Sequence, residues 1–327
     1  MAVLDVSDLR ALRADFPALS RRRRGKPPVY LNNTCMTLRP SSVIDAVCRY
    51  YAEFPTCGGG RAEGARDLHN WFAEELVVEE HGAREALRGL VNAERVEELV
   101  WTRNASEALN VVAFGLDLAP GDVVVSSERE HNSNLVPWLE VQRRLRERAG
   151  DPSLEVLRFF DLEPDGSFSL ANALAAVRPG VKVVAVGHAS NLDGTTIPDD
   201  ALRALSDAVH RVGGVLVVDG AQSVPHRRVD VRALGIDFLA FSLHKMCGPT
   251  GVGALYGRHD RLDGLRPLIV GGDTIRDTWH DRVEYKRPPG RFEAGLQDYA
   301  GMIGSAAAIR YVTERVGYDA IVAHEHR

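Results

Sequence analysis

Ser242-Leu243-His244-Lys245-Met246-Cys247-Gly248-Pro249-Thr250-Gly251-Val252-Gly253 sets a lysine between an apolar run and a glycine-rich turn. The run before it, Asp237-Phe238-Leu239-Ala240-Phe241, has the length and continuous apolarity of a strand buried on both faces. Upstream, a second such run, Gly214-Val215-Leu216-Val217-Val218, ends in Asp219-Gly220-Ala221-Gln222-Ser223. Two buried strands therefore deliver an acid and a lysine at their C-terminal ends. Open α/β sheets bind ligands at that edge. A lysine there can form a Schiff base with an aldehyde, and a carboxylate can keep a ring nitrogen protonated.

Working outward, apolar runs and helical patterns alternate. Candidate strands are Glu98–Thr102, Asp122–Ser126, Leu154–Phe159, Val181–His188, Gly214–Asp219, Phe238–Ser242 and Val252–Tyr256. Candidate helices are Asp8–Asp15, Ser41–Phe54, Glu63–Leu90, Ser106–Phe114, Leu135–Arg148, Leu170–Val177, Pro198–Val212 and Gln297–Val316. Pro55-Thr56-Cys57-Gly58-Gly59-Gly60 reads as a flexible loop. Such alternation predicts an α/β domain with a mainly parallel seven-stranded sheet, covered by helices on both faces.

The bulk properties exclude several classes. A net charge of −5 with both signs interspersed gives no nucleic-acid footprint, and the basic run Arg21 to Arg24 reads as a solvated loop. No 18-residue apolar stretch occurs, so no membrane span is expected. The N-terminus carries acids and lacks the apolar core of a signal peptide, so a cytoplasmic protein is expected. Cys35, Cys48, Cys57 and Cys247 match neither a metal-site spacing nor a secreted disulfide framework, and no metal is expected. Nucleotide-binding glycine motifs of the G-x-G-x-x-G or P-loop type are absent.

Lys245 and Asp219 in this order are the protein's half of pyridoxal phosphate chemistry. The chain also resembles the class V aminotransferase family of fold-type I pyridoxal phosphate enzymes, above all its cysteine desulfurase and selenocysteine lyase branch. The resemblance rests on Tyr30–Asn33, Trp101–Asn110, Glu130–Trp138, His188–Gly194, Val218–Gln222, Ser242–Lys245 and Arg291–Gly295, which stand in family order. It implies an N-terminal arm at 1–29, a cofactor-binding large domain at 30–296, and a linker helix with the start of a small C-terminal domain at 297–327. Most of that small domain is expected to be missing.

The resemblance also implies roles. Lys245 would hold pyridoxal 5'-phosphate as a Schiff base. Asp219 would face the pyridinium nitrogen, and Gln222 the phenolate oxygen. His131 would stack on the ring and move protons, a task suited to a planar group that titrates near neutrality. Asn191 would lie near the cofactor oxygen and the substrate. Ala105 and Ser106, standing where many relatives carry two threonines, would open a helix whose N-terminus binds the phosphate. Ser242 and His244 would complete that site. Leu296 stands where many relatives carry a threonine donated across a homodimer.

The function implied is cleavage of the C–S bond of L-cysteine or a related amino acid, with transfer of sulfur to an acceptor protein. Relatives carry the nucleophilic cysteine and the substrate-binding arginine in the C-terminal domain. The 327-residue chain is therefore expected to bind cofactor but turn over poorly, with apolar surface exposed near Met302–Val312. Of its own cysteines, Cys247 is expected to pack in the turn, whereas Cys57 on its glycine-rich loop is the freer thiol. A C–S β-lyase, an epimerase or an aminotransferase of the same family is the second reading, and a non-catalytic cofactor-binding remnant is the third.

Overall fold

The computed structural model describes residues 6–57 and 70–326. The glycines at 58–60 and the first residues of the helix expected from Glu63 lie outside the described residues.

The strands are β1 (Leu99–Thr102), β2 (Val123–Ser127), β3 (Leu157–Phe160), β4 (Val181–Gly187), β5 (Val215–Asp219), β6 (Phe238–Ser242) and β7 (Gly253–Gly257). They form one seven-stranded sheet in the order β1-β7-β6-β5-β4-β2-β3. The β2–β3, β2–β4, β4–β5 and β5–β6 pairs are parallel, and β7 runs against both of its neighbours. Every residue of β5 and β6 is buried, because helices cover both faces of these central strands. A short antiparallel hairpin, β8 (Ile275–Thr278) with β9 (Val283–Tyr285), stands apart. Its mixed polar sequence carries no buried face, so the sequence gives no strand signal there.

The helices are α1 (Val6–Ala14), α2 (Ser41–Glu53), α3 (Trp71–Val91), α4 (Ala105–Gly115), α5 (Asn132–Ala149), α6 (Leu170–Ala176), α7 (Asp199–Arg211), α8 (Val231–Leu234), α9 (His259–Asp263), α10 (Tyr299–Arg310) and α11 (Tyr318–Glu325). In α7 the buried Leu202, Leu205 and Val209 recur on one face, with acids at the first turn and His210 and Arg211 at the last. Each fully buried aliphatic side chain of this kind contributes about 1.5–3 kcal/mol.

α10 departs from expectation. Met302, Ile303, Ala306, Ile309 and Val312, expected to be exposed, are all buried. α2 and α3 pack on α10 and cover them. Close packing here depends on Gly304, where a Cβ would sit 2.6 Å from Val47 and 2.8 Å from Pro249. A buried ion pair fixes the other end of α3. Arg84 Nη1 and Nη2 donate to Glu293 Oε1 and Oε2 at 3.1 and 2.6 Å, and Glu293 Oε1 also accepts the Trp101 N–H at 2.9 Å. The segment carrying Glu293 is thereby tied to β1.

Candidate functional site

The parallel register sets Gly187 of β4 beside Asp219 of β5, and Asp219 beside Ala240 of β6. The C-terminal ends of these strands therefore open side by side. A cavity of about 530 Å³ lies at that edge. Ala105, Ser106, His131, Asn191, Asp219, Gln222, Ser242, His244 and Lys245 all line it, so the fold brings every expected site residue to one place.

Lys245 closes a single 3₁₀ turn, Leu243–Lys245, directly after β6. The buried Leu243 anchors that turn, and the Gly248 N–H bonds back to Leu243 O at 2.8 Å. Burial lowers the Lys245 pKa, while the charge of Asp219 opposes that shift. The amine is thus closer to its neutral, nucleophilic form than a surface lysine.

Asp219 is buried at 7% exposure. Its Oδ1 accepts the Ala221 N–H at 2.9 Å, and its Oδ2 has no hydrogen-bond partner among the described residues. Burial raises its pKa, against the pull of the Ala221 N–H, Lys245 and His131. A buried carboxyl with an unpartnered oxygen on a cavity wall suits a cationic N–H donor.

His131 caps α5. Its Nδ1 accepts the Ser133 N–H at 3.1 Å, which leaves Nε2 to carry the proton of the neutral ring. Gln222 Nε2 donates to Thr34 O at 3.0 Å. His244 is pushed to a lower pKa by burial and by the charges of Lys245 and Arg39.

The helix N-terminus differs in detail from the sequence reading. The helix begins at Ala105 rather than at the expected Ser106, and Asn104 caps it, accepting the Glu107 N–H at 2.9 Å. The Ala105 N–H donates to Ser242 Oγ at 2.8 Å, so two groups expected to meet an anion satisfy one another. The Ser106 N–H has no partner among the described residues, and Ser106 Oγ meets Ser133 Oγ at 2.6 Å. Gly253 allows this arrangement, since a Cβ there would lie 2.5 Å from Asn104 Cα.

Three features escape the sequence reading. Glu130 Oε1 accepts from Ser127 Oγ at 2.5 Å, and its Oε2 accepts from Asn134 Nδ2 at 2.8 Å. Desolvation, reinforced by Asp219, pushes Glu130 up to about 7. Arg129 lines the cavity, donates to Gly166 O at 3.3 Å and pairs with Asp193. Cys35 lines the cavity, whereas Cys57 is not among its lining residues. Cys35 lies two residues beyond the Tyr30–Asn33 segment, and that proximity is the only sequence signal for it. Among the described residues no cluster of three or more His, Cys, Asp or Glu could hold a metal ion.

The profile of the aminotransferase class-V family matches residues 29–327. A cysteine desulfurase of Haloferax volcanii is 37% identical over 334 residues, covering 97% of this chain and 74% of that protein. A probable cysteine desulfurase of Streptomyces coelicolor is 37% identical over 327 residues, covering 98% and 74%. Among solved structures, the apo cysteine desulfurase of Thermococcus onnurineus superposes with a TM-score of 0.83 at 34% identity, covering 98% of this chain and 73% of that one.

Proposed function

This chain belongs to the aminotransferase class-V family, and on that premise we propose that it is a pyridoxal-phosphate enzyme that cleaves the C–S bond of L-cysteine or a related amino acid. The observation that carries the reading is the shared cavity of Lys245 and Asp219 at the ends of adjacent strands. The donor set fits the cofactor. Asp219, a buried residue on the cavity wall, offers a carboxylate oxygen with no hydrogen-bond partner among the described residues, Lys245 a partly desolvated amine, and Ser106 an N–H at a helix N-terminus.

When bound, the cofactor supplies an electron sink that stabilises negative charge on the substrate carbon. The chain's residues do the rest. Lys245 Nζ would hold the cofactor through its aldehyde and, once released, would serve as a base. Asp219 would sit against the ring nitrogen and keep it protonated. His131, with Nδ1 engaged by the Ser133 N–H, would move protons at the cavity wall. Ser106 and the first turn of α4 would hold the phosphate, Gln222 and Asn191 would orient the ring oxygen and substrate, and His244 would line the lysine side.

A homodimer in the cytoplasm, passing sulfur to an acceptor protein, belongs to the same reading. Val29 and Leu31, at 83% and 89% exposure, are apolar side chains left in solvent beside the cavity residue Asn32. Sedimentation at several concentrations reads the dimer. The reaction itself is tested by loading the protein with pyridoxal phosphate and supplying L-cysteine. Alanine with protein-bound sulfane sulfur supports the proposal. Pyruvate with ammonia makes the protein a C–S β-lyase, and no C–S cleavage rejects the proposal.

A further inference from the structure

We propose that Glu130 is a positioning residue that sets the charge behind Asp219: its carboxyl, seated where β2, β4 and the start of α5 meet, gives or withholds a second negative charge at the cavity wall, and so tunes how firmly a cationic ring is held there. The inference rests on the cofactor reading proposed above, in which Glu130 takes no part.

Glu130 is held from three elements. Ser127, the last residue of β2, donates through Oγ to Oε1 at 2.5 Å. Asn134, in the first turn of α5, donates through Nδ2 to Oε2 at 2.8 Å. Asn134 is fully buried, and its Oδ1 has no partner among the described residues. Burying an amide with one end unsatisfied is costly, and the bond to Glu130 offsets that cost. Gly187, the last residue of β4, is the third wall. A Cβ there would lie 3.1 Å from Glu130 Oε2, so the carboxyl occupies the place of the missing side chain. The parallel register sets this same Gly187 beside Asp219 of β5. Glu130 and Asp219 both line the cavity.

Ser127, Asn134 and Gly187 bring no charge to Glu130 from β2, α5 and β4. Arg129, its neighbour in the chain, is paired with Asp193. Burial raises the Glu130 carboxyl most and the charge of Asp219 adds to this, against the hydrogen bonds from Ser127, Asn134 and Gly187, so that it titrates at about 7. Lys245 and His131 act in turn on Asp219. Near neutrality Glu130 therefore exists in both forms. Coupling between charges is reciprocal: ionised Glu130 strengthens the hold on a cation beside Asp219, and neutral Glu130 weakens it.

Two measurements on the full chain test this. The first needs neither cofactor nor a change at Glu130. Isotope-labelled glutamate carboxyl carbons are followed by NMR against pH, with the Glu130 signal assigned through its backbone. Its midpoint should stand at about 7 and fall in Asp219→Asn. A midpoint that Asp219→Asn leaves in place overturns the proposal.

The second loads the protein with pyridoxal phosphate and follows its visible absorbance against pH, which reads the proton on the bound cofactor. Removing a negative charge makes that proton easier to lose. The midpoint in Glu130→Gln should therefore lie below that of wild type by about half a pH unit or more. Glu128→Gln, at an exposed residue absent from the cavity wall, should match wild type. Coincident midpoints in wild type and Glu130→Gln overturn the proposal and leave the cofactor reading standing. A wild-type chain that binds no cofactor removes both.

Discussion

Ser242 Oγ accepts the backbone N–H of Ala105 at 2.8 Å. This bond joins the end of the lysine-bearing strand to the first turn of α4. Lys245 and the Ser106 amide are thereby held at a fixed spacing, which a ligand bound covalently at one end and by an anion at the other requires.

Ser242→Ala should expose the value of that link. Ser242 is 3% exposed, so the variant leaves the Ala105 N–H without its partner in a dry place. The expected loss is about 1–3 kcal/mol in urea unfolding. Pyridoxal phosphate affinity, read by fluorescence titration, should fall with it. Unchanged stability and affinity would show that the contact is incidental.

Lys245→Ala should abolish covalent attachment. Borohydride treatment of the cofactor-loaded wild type should leave the reduced cofactor on the peptide containing Lys245. The variant should still bind pyridoxal phosphate, more weakly and reversibly, through the α4 N-terminus. Recovery of the label on Lys26, Lys182 or Lys286 would reject the assignment.

Asp219→Asn should keep the cofactor and lose the chemistry. The amide oxygen can still accept the Ala221 N–H, so the loop survives. The ring nitrogen loses its anionic partner. Turnover should drop on the order of 10²-fold or more, comparable to removing a preorganised electrostatic partner. Near-normal turnover would rule out the role.

Glu130→Gln should change the pH dependence of stability. Glu130 rises from the ordinary 4.5 to about 7 in the folded chain. The folded state therefore holds this proton more tightly than the unfolded state does. Stability from this group is fully present below pH 4.5, declines as pH rises, and is lost by passage through about 7. The glutamine variant lacks this titration. Subtracting variant from wild-type stability should give a curve falling across that window and flat above it. A flat difference throughout would mean that Glu130 titrates like a solvated acid.

Much of the site was legible because its residues follow buried strands. Val215–Val218 and Phe238–Phe241 are continuous apolar runs, and such runs announce central strands whatever the rest of the chain does. Lys245 and Asp219 stand just past those runs, so locating the strands locates the ligand edge. The Asn104 cap was missed because Asn-Ala-Ser offers two capping residue types within three positions, and only the backbone angles choose between them.

What the sequence by itself determined is the alternating α/β order, the seven strands, the positions of acid and lysine, and family membership through its motifs. Those features are local: burial on two faces writes itself into composition, and strand ends into the residues that follow. Only the tertiary structure decided that Cys35 rather than Cys57 lines the cavity, that Ser242 satisfies Ala105, that Glu130 is pushed toward neutrality, and that α10 is covered by α2 and α3. Each of those depends on groups far apart in the chain. Thr37 and His244 meet across 207 residues, and Ala105 and Ser242 across 137. No periodicity encodes such meetings, because they are set by how the finished layers pack and by which polar groups packing leaves to satisfy one another.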